Sequence, residues 1–494
     1  MKYDVVRCGS LLALVLSSVA CAAGNGGGEG SGGETTSPST GSGGHDGVTT
    51  GSGGFGGQST TGTGGQNTGG SINQPPEPGA PLLFQLTRRI ALVDTQSAGA
   101  ACGAFARIEG NARRLVIDLD QCDLGPEAPA GAVGVIGAVT VRADTAETFE
   151  VRVEPTGAAV PGPAYTVGPL QTTSHGFITL LGQADRAFAI EASGSTSLDV
   201  LVEISGFLVP AATGGQYVHL LDRPERWYAS NPNDVGHRDP WSELGTVLSY
   251  PVLGADFGAT GMLGAVHLGP GVWREVPSSF YMGPAGSDGP LVRWSTTPAD
   301  THFPWRHTSF FVVGAGLGKE VEMRADAEGV VPWDTGIEPW IDAVGYLSPK
   351  PAGGLVYRPL AKPLRVTNPV VTHNGDDVRF TTGLPEARGV AGTLDFDLPH
   401  WPYDHAYRYF TVMVGATTSV FPGALPGGLE GPDFTTVQLN QNGHVTATFM
   451  TRTDAEGAFV MRHYSYASGG STGAPAELSA VSVRMRVDAV LTEP

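Results

Sequence analysis

The chain is short of cysteine, of charge and of long apolar runs, and each shortage excludes something. Its 494 residues include 4 cysteines, 16% charged residues and 8% aromatics. Without a second cysteine pair nearby, a structural zinc site has too few sulfur ligands. Basic residues number 29 against 48 acidic, for a net charge of −19. That balance argues against nucleic acid and anionic lipid as partners. No run approaches the roughly 20 apolar residues that a membrane-spanning helix needs. No long stretch carries apolar residues at the 3.6 period of an amphipathic helix. A nucleophile elbow between strand and helix, a His-Glu-x-x-His pair and a phosphate-cradling loop are all missing. No cofactor and no metal are expected.

Glycine and proline, by contrast, are abundant, at 72 and 37 residues. They punctuate strand-sized runs throughout the body that follows Pro78, the pattern of an all-β chain with many turns. The start is different. Lys2 and Arg7 precede an apolar run over 11–19 and then small residues, the layout of a secretory signal. Residues 1–20 are therefore expected to be a signal peptide. Residues 22–71 are nearly all Gly, Ser and Thr. Such a segment cannot bury enough apolar surface to offset its ordering entropy. It predicts a disordered tether spanning roughly 40 Å as a flexible coil, stiffened by Pro75, Pro76, Pro78 and Pro81.

Ser18-Val19-Ala20-Cys21 resembles the lipobox of bacterial lipoproteins, with Ser18 where leucine is usual. The resemblance implies diacylation of Cys21 and a lipid anchor in the membrane. Ala22, where an aspartate would favour inner-membrane retention, points to the outer membrane or cell surface. Ordinary cleavage after Ala20 or Ala22, giving a secreted protein, is the alternative. Cys102 and Cys122, the only cysteines left in the body, are expected to pair in an oxidising compartment.

The body contains three recurring phrases. The opening one is Arg89-Ile-Ala-Leu-Val-Asp94, then Val218-His-Leu-Leu-Asp222, then Pro363-Leu-Arg-Val-Thr-Asn368. The middle one is Gly134-Val-Ile-Gly137, Gly261-Met-Leu-Gly264 and Val390-Ala-Gly392. The closing one is Val202-Glu203-Ile-Ser-Gly206-Phe207, Ile341-Asp342-Ala-Val-Gly345-Tyr346 and Val487-Asp488-Ala-Val. Leu92-Val-Asp94-Thr95 and Val202-Glu-Ile-Ser-Gly206-Phe207 make the first unit resemble a repeat of about 120 residues known from actinobacterial and other bacterial surface proteins. That repeat reads Leu-Val-Asp-Thr-Arg at its start and Val-x-Asp-Val-x-Gly-Tyr-Phe at its end. Its resemblance is best over 85–210 and implies a β-sandwich-like module, often attached to hydrolases, with no catalytic residues to transfer. The fold expected is all-β: a tether over 21–78, then three tandem β-sandwich-like domains over 79–210, 217–349 and 357–494.

Chemistry is sparse. The anchor acids Asp94/Glu203 and Asp222/Asp342 read as strand-end turn formers, with a calcium pair as the sharper alternative. The densest cluster is His400, Trp401, Tyr403, Asp404, His405 and Tyr407, where rings can stack on a sugar while polar groups bond its hydroxyls. Asn233–Trp241 and His302–His307 are thinner versions. The function expected is surface display for adhesion or glycan binding, without catalysis and with a surface glycan or protein as ligand. The alternatives are an envelope-attached hydrolase with its site in the second or third unit, or a structural spacer.

Overall fold

Short strands broken by glycine and proline bury themselves most readily in pairs of antiparallel sheets. The computed structural model describes residues 79–494 apart from 109–113, 127, 144–148, 160, 168–171, 183, 194–196, 230–246, 270–277, 287–290, 297–306, 328–337, 373–376, 399–406, 417–434, 437–442 and 469–480. Among the described residues there are 24 strands and only single-turn 3-10 helices, so the expected all-β class holds. No described helix is long and apolar enough to cross a membrane.

The strands fall into three sets of eight in chain order. The first is β1 (Leu82–Asp94), β2 (Arg114–Asp118), β3 (Gly134–Ala143), β4 (Phe149–Pro155), β5 (Ala164–Val167), β6 (Thr172–Leu180), β7 (Ala187–Ala192) and β8 (Leu198–Pro210). The second is β9 (Tyr217–Ala229), β10 (Val247–Pro251), β11 (Gly261–Gly269), β12 (Ser278–Pro284), β13 (Val292–Thr296), β14 (His307–Gly314), β15 (Glu320–Ala327) and β16 (Glu338–Ser348). The third is β17 (Val356–Thr372), β18 (Asp377–Thr381), β19 (Gly389–Leu398), β20 (Tyr407–Gly415), β21 (Thr435–Thr436), β22 (Gly443–Arg452), β23 (Ala458–Ser468) and β24 (Val481–Thr492).

Each set builds the same two sheets. In the first, β6-β3-β8-β1 faces β2-β7-β4-β5; in the second, β14-β11-β16-β9 faces β10-β15-β12-β13; in the third, β22-β19-β24-β17 faces β18-β23-β20-β21. This strand order, with two Greek keys, is that of a jelly roll. Each sandwich has its own core, around Phe188 and Phe207, Trp294 and Phe311, and Phe396 and Phe459 respectively. A fourth core is shared by all three. Leu82, Phe84 and Leu208 meet Leu263, Phe310 and Leu347 there, together with Tyr357, Met450 and Leu491. The seams are narrow: Leu82 pairs with Tyr357 between the first and third sets, and Thr173 with Thr296 between the first and second.

The last strand of each set explains how one sequence serves two cores. In β24 the residues alternate buried and half-buried from Val481 to Asp488, and then Ala489, Val490 and Leu491 are all buried. The first half packs one face on its sandwich and turns polar side chains outward; the second half is enclosed on both faces, as near-continuous apolar strands are. The switch is a β-bulge that recurs at Ser205, Val344 and Asp488. Opposite it, Gly137, Gly264 and Gly392 let the neighbouring strand approach: a Cβ on any of them would collide with the carbonyl oxygen of Glu203, Asp342 or Arg486. Phe177, Phe311 and Phe449 pair with those three glycines from the other side, covering the exposed backbone.

This register corrects the alignment of the recurring phrases. Glu203 and Asp342 are equivalent, but the third member is Arg486, and Asp488 sits two positions on. In the opening phrase Asp222 does not match Asp94. Asp94 pairs with Leu201, whereas Ala229 is the residue facing the corresponding Trp340, and Asp222 lies in the bulged stretch of β9.

Candidate functional site

Glu203, Asp342 and Arg486 occupy one structural position with three different solutions. Glu203 meets the second repeat and Arg486 the first, whereas Asp342 is held within its own repeat. In the second repeat the position is sealed. Asp342, 1% exposed, takes Arg226 Nε on one oxygen and His267 Nε2 at 3.0 Å on the other. Arg226 reaches it because the two residues are directly paired across β9 and β16. His267 comes from β11, one rung along the same face.

In the third repeat Arg486 turns on itself. Its Nε meets Asp488 Oδ1 at 2.5 Å and its Nη1 reaches the carbonyl of Pro161 in the first repeat. Tyr165, also from the first repeat, is fully buried at this junction. Its hydroxyl donates to the Gly176 carbonyl at 3.4 Å and lies 3.5 Å from the Thr448 hydroxyl. Burial pushes the Tyr165 hydroxyl up to about 12, and the Tyr357 hydroxyl upward as well. A raised folded-state value means that Tyr165 contributes fully below its ordinary value near 10 and loses that contribution as pH climbs toward 12. Two units correspond to about 3 kcal/mol. Tyr165→Phe is expected to flatten the fall in urea midpoint between pH 9.5 and 11.5; a fall as steep as the parent's would show that other groups govern alkaline unfolding.

In the first repeat the same position is open. The residues directly opposite Glu203 are Ala91 and Ala138, too small to close over it. A cleft of about 250 Å³ forms instead, lined by Arg89, Asp94, Leu201, Glu203, Tyr281, Leu291, Arg293 and Arg324. The first repeat supplies one wall through β1 and β8. Glu203 is 1% exposed, and its Oε1 accepts from Arg89 Nε at 2.5 Å. Its Oε2 accepts from the Arg293 backbone N–H at 2.8 Å. Burial pushes this carboxyl up, while Arg89 and then Arg293 pull it back. With both oxygens engaged, Glu203 organises the wall and is not presented for proton transfer. Asp94 Oδ1 accepts the Gln96 N–H at 2.9 Å.

The second repeat supplies the other wall as a single rung across three strands. Arg293 of β13 pairs with Tyr281 of β12, and Tyr281 pairs with Arg324 of β15. Residues opposite one another in a sheet point to one face, so Arg, Tyr and Arg form a row about 10 Å wide, given a strand spacing near 4.8 Å. Arg324 lies over the Tyr281 ring, 4.4 Å from its centroid. The Arg293 Nε is buried without a hydrogen-bond partner, and the guanidinium charge acts on the Glu203 carboxylate. The cleft thus concentrates three guanidinium groups and two carboxylates in a chain whose net charge is −19.

The candidates read from the sequence are distributed unevenly. Cys21, His400, Trp401, Tyr403, Asp404 and His405 lie outside the described residues. Tyr407 opens β20, opposite Ser468, and its side chain is likewise outside the description. Cys102 and Cys122 are joined in a disulfide with Cα atoms 4.0 Å apart. Asp94 and Glu203 do line one cleft. Asp222 and Asp342 are not brought together: Asp222 is exposed and pairs with Arg452 of the third repeat, while Asp342 is buried in its own triad. The paired-acid calcium reading therefore fails in the second repeat. Among the described residues no group of three or more His, Cys, Asp or Glu side chains is arranged to hold a metal.

Arg89, Tyr281, Arg293 and Arg324 were not singled out from the sequence. Their signal is faint, a polar residue between buried ones as in Val292-Arg293-Trp294 and Met323-Arg324-Ala325, which reads as an ordinary solvated strand face. Compared with known proteins, the chain matches no family model and no curated sequence.

Proposed function

We propose that this is an exported lipoprotein, anchored through Cys21 at the outer membrane or cell surface, whose three repeats serve adhesion by binding surface glycans rather than by catalysis. The observation that carries this reading is the cleft between the first and second repeats. It is concave, open to solvent, and combines apolar lining from Leu201, Leu291 and Tyr281 with a few convergent polar groups, the make-up of a small-molecule site. A sugar ring presents both an apolar C–H face and a rim of hydroxyls, and this lining meets both demands. The third-repeat sequence cluster with Trp401 and Tyr403 offers a second candidate contact.

Glycan-array binding of the full chain tests the reading, with Trp401→Ala/Tyr403→Ala alongside. Binding to a restricted set of glycans is the expected result, and loss in the double variant would place the contact in the third repeat. Silence across a broad array of neutral and acidic glycans would refute glycan recognition and leave the spacer reading.

A further inference from the structure

We infer that the cleft between the first and second repeats recognises a sugar acid, taking its carboxylate on Arg293 and Arg324 and its ring against Leu201 and Leu291; this rests on the glycan-binding reading above and narrows it. Arg293 is the centre of the inference. Glu203 is the nearest acid, yet both of its oxygens are already occupied, by the Arg89 side chain and by the Arg293 backbone. The Arg293 guanidinium is left to attract Glu203 through space alone, and its Nε has no hydrogen-bond partner. Arg293 and Arg324 both line the cleft, and an incoming carboxylate meets guanidinium groups there in the forked geometry that arginine favours. Tyr281 holds Arg324 on the same rung, so two cations sit on one face in fixed register.

The rest of the cleft selects for a sugar. Asp94, with Oδ1 turned to its own loop, adds acceptor capacity that suits hydroxyl donors and would repel a second carboxylate close by. The whole chain repels polyanions at a net charge of −19, so a ligand with one or widely spaced negative groups is favoured over nucleic acid or a densely sulfated polymer. The comparison between repeats supports the site independently. Both acids are buried and each is held by an arginine, but Arg226 stands directly opposite Asp342, whereas Ala91 stands opposite Glu203 and Arg89 reaches it from two residues away. The small residue opposite Glu203 leaves room beside the acid for the cleft.

The test titrates the full chain, in detergent, with trigalacturonic acid, a hyaluronan tetrasaccharide and sialyllactose, and with the methyl ester of trigalacturonic acid as an uncharged counterpart. At least one acid is expected to bind, ten-fold or more tighter than its uncharged form, and more weakly as salt rises. Arg293→Gln is expected to lose ten-fold or more, Arg293→Lys to recover part of it, and both to melt with the parent. Failure of all three acids to bind, equal binding of acid and ester, or full binding by Arg293→Gln overturns the inference. Retention of neutral glycans on the array by Arg293→Gln would then leave adhesion standing with a different contact site.

Discussion

Asp342→Ala is expected to destabilise the folded body by about 3–5 kcal/mol, the usual consequence of removing one partner from a buried ion pair. Arg226 and His267 converge on this carboxylate, and the side chains of the three residues are 3%, 0% and 1% exposed for Arg226, His267 and Asp342. Deleting the acid removes the carboxylate that Arg226 and His267 share in the interior. The urea midpoint reads this directly, since a loss of several kcal/mol at unchanged m moves it by more than the extrapolation error. The companion variant Arg226→Met/His267→Leu/Asp342→Leu removes all three polar groups together. It is expected to regain most of the loss, because apolar residues of similar volume often equal or exceed a buried pair. A loss below about 1 kcal/mol for Asp342→Ala would show that solvent relaxes into the site. Binding at the Arg293 cleft should be unaffected by either variant as long as the body remains folded.

Much of this architecture was legible in the residues, and the failures have one cause. The middle phrase aligned all three repeats correctly, because Gly137, Gly264 and Gly392 are each forced by the same close approach of backbone. The closing phrase aligned the first two. In the third it slipped by two residues, from Arg486 to Asp488. A slip of two keeps every side chain on its own face, since the strand period is two, so alternation alone cannot detect it. Only pairing across the sheet can. The cleft was illegible for a related reason. Its two walls come from strands far apart in the chain, with Glu203 and Arg293, for example, 90 residues apart, and no local pattern ties them together. The sealed triad in the second repeat likewise joins Arg226, His267 and Asp342 from three separate strands.

Cutting the chain after Pro349 is expected to abolish cooperative folding of what remains, although 79–349 retains two complete strand sets. The shared core decides this. Removing the third repeat takes Tyr357, Met450 and Leu491 away from Phe84, Leu208, Leu263, Phe310 and Leu347. It also removes the edge-to-face contact of Phe84 with Tyr357, whose centroids are 5.9 Å apart. Each large apolar side chain that returns to water loses about 1.5–3 kcal/mol, so uncovering even five costs on the order of 10 kcal/mol. That is as much as the whole stability of a typical domain, about 5–15 kcal/mol. The narrow seams add little to resist it, since the sheets touch through single residue pairs there. The fragment is therefore expected to bind a hydrophobic dye, lose its near-ultraviolet circular dichroism and self-associate. Supplying 350–494 as a separate chain is expected to restore a folded complex, because the missing surface is presented by an intact sandwich with its own core. A monomeric, sharply melting 79–349, or the same behaviour from 79–210 alone, would show instead that each sandwich carries its own stability and that the common core contributes only contact. The result bears on function as well as folding. If the repeats stand or fall together, the cleft between the first two is held rigid by the third, which supplies none of its described lining residues, and a truncation that spares every one of those would still lose the ligand.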